Sequence, residues 1–349
     1  MDSKIVKNSY VKNIVLMLAL ILIVIFIIAK NNNMYEMYNT IKGADIRYLI
    51  LAIICAIMFQ ICEAFNINQI LSTLGVKRSN IDTLRYSAVG FFFSSITPSS
   101  SGGQPMQVYY MKKDNIDISL STLTLLIEFA SFQLVTVIFA AVTILTRLNF
   151  IKNQSITIKI MLAYGMIVTI VIIILVTLAL IYNKVLLKVA NWVFNVIEKL
   201  RIKKIRETTK QKVIDGILEY NKATKFIREK PYIFVKVTFV AMVQVLITYS
   251  IPFFVYKALG FNEYSYFNIV TIQALLSIAV SSIPVPGAVG VSESAFILLF
   301  SNIYSQEVLD SAMILTRGIN FYFILLITPL IIYGTEVIEK SKMKFKKAK

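Results

Sequence analysis

Apolar residues in this chain come in long blocks. Ile14 to Ala29 is unbroken, and Ile160 to Tyr182 carries no charge. About 20 such residues cross a bilayer as a helix. Six segments are long enough for a full crossing: 14–29, 48–74, 118–146, 158–182, 233–257 and 308–334. Two further apolar stretches, 86–111 and 267–301, are interrupted at their middles by Pro, Gly and Ser. The pattern predicts an all-α polytopic membrane protein of about six full transmembrane helices plus two Gly/Pro-broken re-entrant segments. One transmembrane domain is expected over 1–349: an N-terminal helix and loop (1–47), a first repeat (48–182), a basic loop (183–232), a second repeat (233–335) and a basic tail (336–349).

Composition agrees. The 349 residues are 57% hydrophobic and 16% charged, with a mean hydropathy of +0.72, against roughly 45–50% and 25% in soluble domains. A secretory signal is the competing reading for Lys4 to Ala29. The run is long for one, and Lys30-Asn31-Asn32-Asn33 stands where small cleavage-site residues belong, so a retained first helix is expected.

The net charge of +17 raises nucleic-acid binding, but its distribution argues against it. The loop 183–232 carries thirteen Lys/Arg against five Asp/Glu, and the tail 336–349 carries six against two. With Lys4, Lys7 and Lys12, these basic stretches fall on one side of six crossings, which the positive-inside rule makes cytoplasmic. The expected location is the bacterial plasma membrane with both termini inside. Within the loop, Leu186, Val189, Val193, Ile197 and Leu200 recur at helical spacing beside Trp192. This reads as an amphipathic surface helix, either an orientation anchor or a contact for anionic inner-leaflet lipids.

Several chemistries are excluded. There is no histidine, so His-based triads and His-ligated metals are out. Cys55 and Cys62 share one helix face too far apart to bridge. No glycine-rich nucleotide loop is present. No cofactor or metal is expected, and active transport would have to use a gradient.

The broken segments hold the candidate chemistry. The first reads Ser94-Ser95-Ile96-Thr97-Pro98-Ser99-Ser100-Ser101-Gly102-Gly103-Gln104-Pro105, and the second Ser281-Ser282-Ile283-Pro284-Val285-Pro286-Gly287-Ala288-Val289-Gly290-Val291-Ser292-Glu293. Both start Ser-Ser-Ile, reach a proline and pass through glycines to Gln104 or Glu293. By the charge count they enter from opposite sides, as in inverted-repeat transporters, where such segments mark the substrate site. Pro and Gly prevent one continuous helix, and broken backbone at this depth must line protein or water. A half-helix starting after Gly103 or Gly290 would aim its amides at an anion such as phosphate. The bland alternative is a kinked helix pair with no ligand.

Intramembrane charges extend the symmetry. Glu128 lies twenty-four residues after Gln104, and Arg317 twenty-four after Glu293. Such charges face a cavity or a partner. Arg317 is expected either to clamp a lipid phosphate or to pair structurally with Glu128, and Glu63 is a further embedded acid.

At Thr97-Pro98…Gly102-Gly103-Gln104-Pro105 and Pro284-x-Pro286-Gly287-x-x-Gly290-x-x-Glu293, the chain resembles the lysylphosphatidylglycerol synthase transmembrane, or flippase-like, family. Ala288 departs from it where a glycine is common. The resemblance implies movement of an aminoacylated or other lipid-linked substrate between leaflets, and family members confer resistance to cationic antimicrobial peptides. From the breaks and the embedded charges, the substrate site is expected at Thr97, Pro98, Ser99, Ser100, Ser101, Gly102, Gly103, Gln104, Glu128, Pro284, Pro286, Gly287, Gly290, Ser292, Glu293 and Arg317. Well-known members also carry a soluble domain that transfers lysine from tRNA to phosphatidylglycerol, and with the chain ending at Lys349 that activity is not expected. The enzyme reading is a lysyltransferase-type lipid-modifying protein with Glu63, Glu128 or Glu293 as base. A third is a membrane subunit or scaffold for a separate soluble aminoacyltransferase. A homo-oligomer is left open.

Overall fold

The computed structural model describes residues 34–181, 192, 207–281 and 283–347. The expected first crossing at 14–29 and most of the expected amphipathic helix at 186–200 lie outside them. Every regular element among the described residues is helical. In chain order these are α1 (Met34–Lys42), α2 (Ile46–Thr73), α3 (Asn80–Ser95), α4 (Gly103–Lys113), α5 (Ile118–Thr146), α6 (Leu148–Lys152), α7 (Ile156–Ile181) and α8 (Glu207–Arg228). They continue as α9 (Tyr232–Ala258), α10 (Tyr266–Val280), α11 (Val291–Phe300), α12 (Gln306–Arg317) and α13 (Ile324–Lys347), with a π-helical stretch, Gly318–Phe323, joining the last two.

Five spans are long and apolar enough to cross a membrane: Ile46–Thr73, Ile118–Thr146, Ile156–Leu180, Tyr232–Ala258 and the composite Gln306–Ile338. They match five of the six expected crossings. Local chemistry sets their starts. Asp45 caps α2 by accepting the Arg47 amide at 2.9 Å, Ser79 and Asp82 close a reciprocal capping box on α3, and Ser265 accepts the Asn268 amide to start α10. Ile160, Ile167, Ile174 and Leu175 on α7 point outward and exposed. That is the solvent-side pattern of a helix facing hydrocarbon and would be costly in water.

The two broken segments are hairpins. At 16, 11, 15 and 10 residues, α3, α4, α10 and α11 are each shorter than a crossing. α4 folds back antiparallel on α3: Gln107 Nε2 donates to Tyr86 O at 3.2 Å, and Arg85 pairs with Asp114 at 2.5 Å, with side chains only 3% and 7% exposed. Tyr86 OH also donates to that carboxylate, at 2.5 Å, and Arg78 donates to the Asp114 carbonyl. The hairpin base is thus tied shut by a dry ion pair. Lys113, at the end of α4, meets Glu336 of α13 at 2.9 Å, so the base of this hairpin and the end of the last crossing lie at the same end of the bundle. That carboxylate also raises the Lys113 pKa.

The two halves are inverted relative to each other. α2 and α9, the helices that precede the hairpins, run antiparallel along their whole length. Asn66 Nδ2 donates to Val237 O, Gln244 Nε2 to Phe59 O and Asp45 N to Ala258 O, so positions rise on one helix as they fall on the other. The hairpins therefore enter from opposite ends. The largest core cluster gathers under the second half, around Tyr256, Phe296, Phe300 and Met313. A smaller one, Ile96, Val289, Phe321 and Leu325, joins the two hairpin tips.

Candidate functional site

The tips carry nearly the same backbone twice. Thr97 has φ −120° and ψ 144°, and Ser99 φ 51° and ψ 27°. Val285 has φ −118° and ψ 135°, and Gly287 φ 58° and ψ 12°. Ser100 (φ 55°) matches Ala288 (φ 50°). Each turn closes on itself, with Ser100 N donating to Thr97 O at 3.2 Å and Ala288 N to Val285 O at 3.0 Å. Pro98 and Pro286 start these turns, because a fixed φ suits the first helical position. The structural match therefore pairs Thr97-Pro98 with Val285-Pro286. The Ser-Ser-Ile alignment, which sets Pro98 against Val285, is out by one residue. It follows that Gln104 and Glu293 are not equivalent, and neither are Glu128 and Arg317.

The two turns touch, yet their ends are finished differently. At the first, Thr97 Oγ1 donates to Phe93 O at 2.6 Å and accepts the Gly102 amide at 2.9 Å. Ser101 Oγ donates to Pro98 O at 2.9 Å, and Ser94 Oγ to Ser100 O at 3.3 Å. No side chain caps α4. Pro98, Ser99, Ser100 and Ser101 are exposed, and Gln104 is half-buried beside them. The result is an open rim of hydroxyls over a helix N-terminus. Gly103 is fixed by packing rather than by ligand access. A Cβ there would lie 2.0 Å from Ser94 Oγ and 2.7 Å from Gly90 O.

The second turn is sealed. Glu293 folds back so that Oε2 accepts the Gly290 amide at 2.7 Å. Its Oε1 accepts from Arg317 Nε at 2.9 Å and from Tyr322 OH at 3.1 Å. Arg317 also donates through Nη2 to Gly287 O at 3.0 Å and lies over the Phe321 ring, 4.4 Å from its centroid. Gly287 is required twice: φ is positive, and a Cβ would fall 2.2 Å from Phe321. Ser292 is buried, Pro284 is exposed and Pro286 is buried.

The expected Glu128–Arg317 pair is thus corrected: the partner of Arg317 is Glu293. Glu128 stands elsewhere, half-buried on α5, and the charge acting on it is Glu63. Glu63 accepts from Ser87 Oγ and from Gln107 Nε2, both at 3.0 Å, and Ser87 also donates to Gln60 Oε1 at 2.8 Å. Gln60, Ser87, Gln107, Phe321 and Tyr322 are absent from the sequence-derived site. Polar Gln60 and Gln107 within apolar runs were the one signal for them. Among the described residues no cluster of three metal-ligating side chains occurs.

The comparisons with known proteins agree with this architecture. Residues 14–328 match the family described as the lysylphosphatidylglycerol synthase TM region. A protein described as a UPF0104 membrane protein, from Archaeoglobus fulgidus, is 25% identical over 293 residues, covering 82% of this chain and 85% of that one.

Proposed function

The chain belongs to the lysylphosphatidylglycerol synthase TM region family, and on that footing we propose that it is a lipid translocase, passing a phospholipid such as lysylphosphatidylglycerol between leaflets. The observation that carries this reading is the meeting of two hairpin tips, entering from opposite ends, of which one presents an open serine rim above an uncapped helix. Backbone amides and hydroxyls there suit a phosphate, since the positive end of the helix dipole favours an anion. The headgroup binds at Ser99, Ser100, Ser101 and Gln104, while Arg317 holds the second turn in shape for it. The membrane orientation has both termini in the cytoplasm, where the basic stretches meet anionic lipid.

The test is lipid sidedness. A deletion strain is labelled with an impermeant amine reagent, and its lipids are identified by mass spectrometry. Loss of outer-leaflet lysylphosphatidylglycerol at constant total amount supports translocation. A changed lipid inventory with unchanged sidedness overturns it in favour of a lipid-modifying enzyme.

A further inference from the structure

Glu63 and Glu128 lie beside the contact between α2 and α5, near enough for the charge of one to act on the other. The rings of Phe59 and Phe132 meet edge to face there at 6.1 Å. Because the two helices run antiparallel, one turn forward on α2 and one turn back on α5 lead to Glu63 and Glu128. Glu63 lies ten residues before Thr73 and Glu128 ten after Ile118. At 1.5 Å per residue both are about 15 Å from the same end, half of a hydrocarbon layer of about 30 Å. Two acids thus share one depth near the middle of the bilayer.

Among the described residues, no Lys or Arg forms an ion pair with either of them, and Arg317 is taken by Glu293. From α3, Arg85 and Tyr86 are turned to Asp114, and Asp82 stands in the first turn. α4 brings Gln107, its lysines 112 and 113 lying in its last turn. α9 carries Lys236 near one end and Lys257 at the other, the latter bonded to Asn262, and Tyr249 packs on Phe139. α8 meets α5 through Glu219 and Ser119, near the start of α5. The one charge on α7, Lys159, reaches back to Lys152 O, and α10 has none, its Tyr266 packing with Phe132 and Phe139 of α5 and its Asn268 accepting from Arg147 just past the end of α5. Two carboxylates at one depth in the middle of a hydrocarbon layer repel one another and are costly to keep charged together.

We propose that Glu63 and Glu128 form a proton-binding pair, and that loading and unloading this proton drives the lipid movement assigned above. The second clause rests on the translocase reading; the first does not. A route from the pair to the headgroup turn is built in. Gln107 sits one turn along α4 from Gly103 and gives its amide to Glu63 Oε1. A proton on that oxygen turns a carboxylate acceptor into a hydroxyl and weakens the bond, because an amide N–H cannot accept the new hydrogen. Gln107 has little room to turn elsewhere, because it lies over Gly90 so closely that a Cβ there would be 2.4 Å from Nε2. Protonation of Glu63 is therefore felt at α4, whose N-terminus carries the serine rim.

The purified full chain is reconstituted into phosphatidylcholine vesicles with a trace of tail-labelled phosphatidylglycerol. Infrared spectroscopy near neutral pH is expected to show a protonated-carboxyl band that disappears in Glu63→Gln and in Glu128→Gln, with thermal unfolding confirming that each variant folds. An imposed pH gradient is expected to accumulate the labelled lipid in one leaflet, and a protonophore to abolish this. Absence of the band, its persistence in both variants, or its appearance only when sodium is replaced by choline overturns the proton pair, the last in favour of a sodium site. Lipid that moves regardless of the gradient overturns the coupling and leaves the translocase reading standing. If no lipid moves under any condition, the translocase reading falls, and the band alone decides the pair.

Discussion

Arg317 reaches back twenty-four residues to Glu293, with Nε 2.9 Å from Oε1 and both side chains nearly out of solvent. Removing one member leaves a buried charge without its partner, at about 3–5 kcal/mol. Arg317→Gln and Glu293→Gln are each expected to lower the unfolding temperature in detergent sharply. The double variant should lose less than the two together, with a coupling energy of up to ~3 kcal/mol. Pairing Arg317→Gln with Glu128→Gln should show no coupling.

The two turn glycines are expected to fail for different reasons. Gly287→Ala puts a Cβ 2.2 Å from the Phe321 ring, and a ring can move, so adding Phe321→Leu should restore part of the lost thermal stability. At Gly103→Ala the obstacle includes the Gly90 carbonyl at 2.7 Å. Trimming Ser94 to alanine removes the nearer atom but leaves the backbone in place, and the rescue should be the smaller of the two.

The serine rim separates binding from folding. Of its three hydroxyls, Ser101 Oγ makes one local bond, to Pro98 O. A neutral hydrogen bond at an open site is worth about 1 kcal/mol or less. Ser99→Ala, Ser100→Ala and Ser101→Ala combined should therefore leave thermal stability nearly unchanged while slowing transfer of labelled phosphatidylglycerol in vesicles. Wild-type transfer would remove the headgroup from the first turn.

Orientation is open to a direct check. With Cys55 and Cys62 replaced by alanine, a single cysteine at position 75 or 345 should resist an impermeant maleimide in intact cells, and one at position 262 should react. Reversed labelling would invert the assignment.

Much of this architecture was legible from block length alone, because a helix that must satisfy its backbone in lipid needs about 20 apolar residues and little else. The two breaks were visible as Pro and Gly in otherwise apolar runs. Their register was not, because what repeats is backbone conformation. Ser99 and Ser100 share the left-handed region with Gly287 and Ala288, and no alphabet of side chains would align a serine with a glycine there. The partner of Arg317 was missed for a related reason. An acid in mid-helix looked needier than Glu293, which stands at a helix start and was assumed to face the ligand. The pairing of Glu63 with Glu128 required knowing which two crossings are neighbours, and hydropathy does not say that.

The sealed turn has a consequence for the whole machine. Two halves of one shape, facing opposite ways, define two arrangements of the same chain, obtained by exchanging the conformation of one half with that of the other. Halves equal in every respect would give these arrangements equal energy, and the empty protein would dwell evenly in both. Glu293 and Arg317 break the tie. Their structural counterparts in the first half are Pro105 and Phe129, which form no ion pair, so a latch at the tip exists in one half only, while the first half is tied at its base by Arg85 and Asp114. On the translocase reading proposed above, the tip latch weights one arrangement over the other, and a substrate or proton works against that preference once in each cycle.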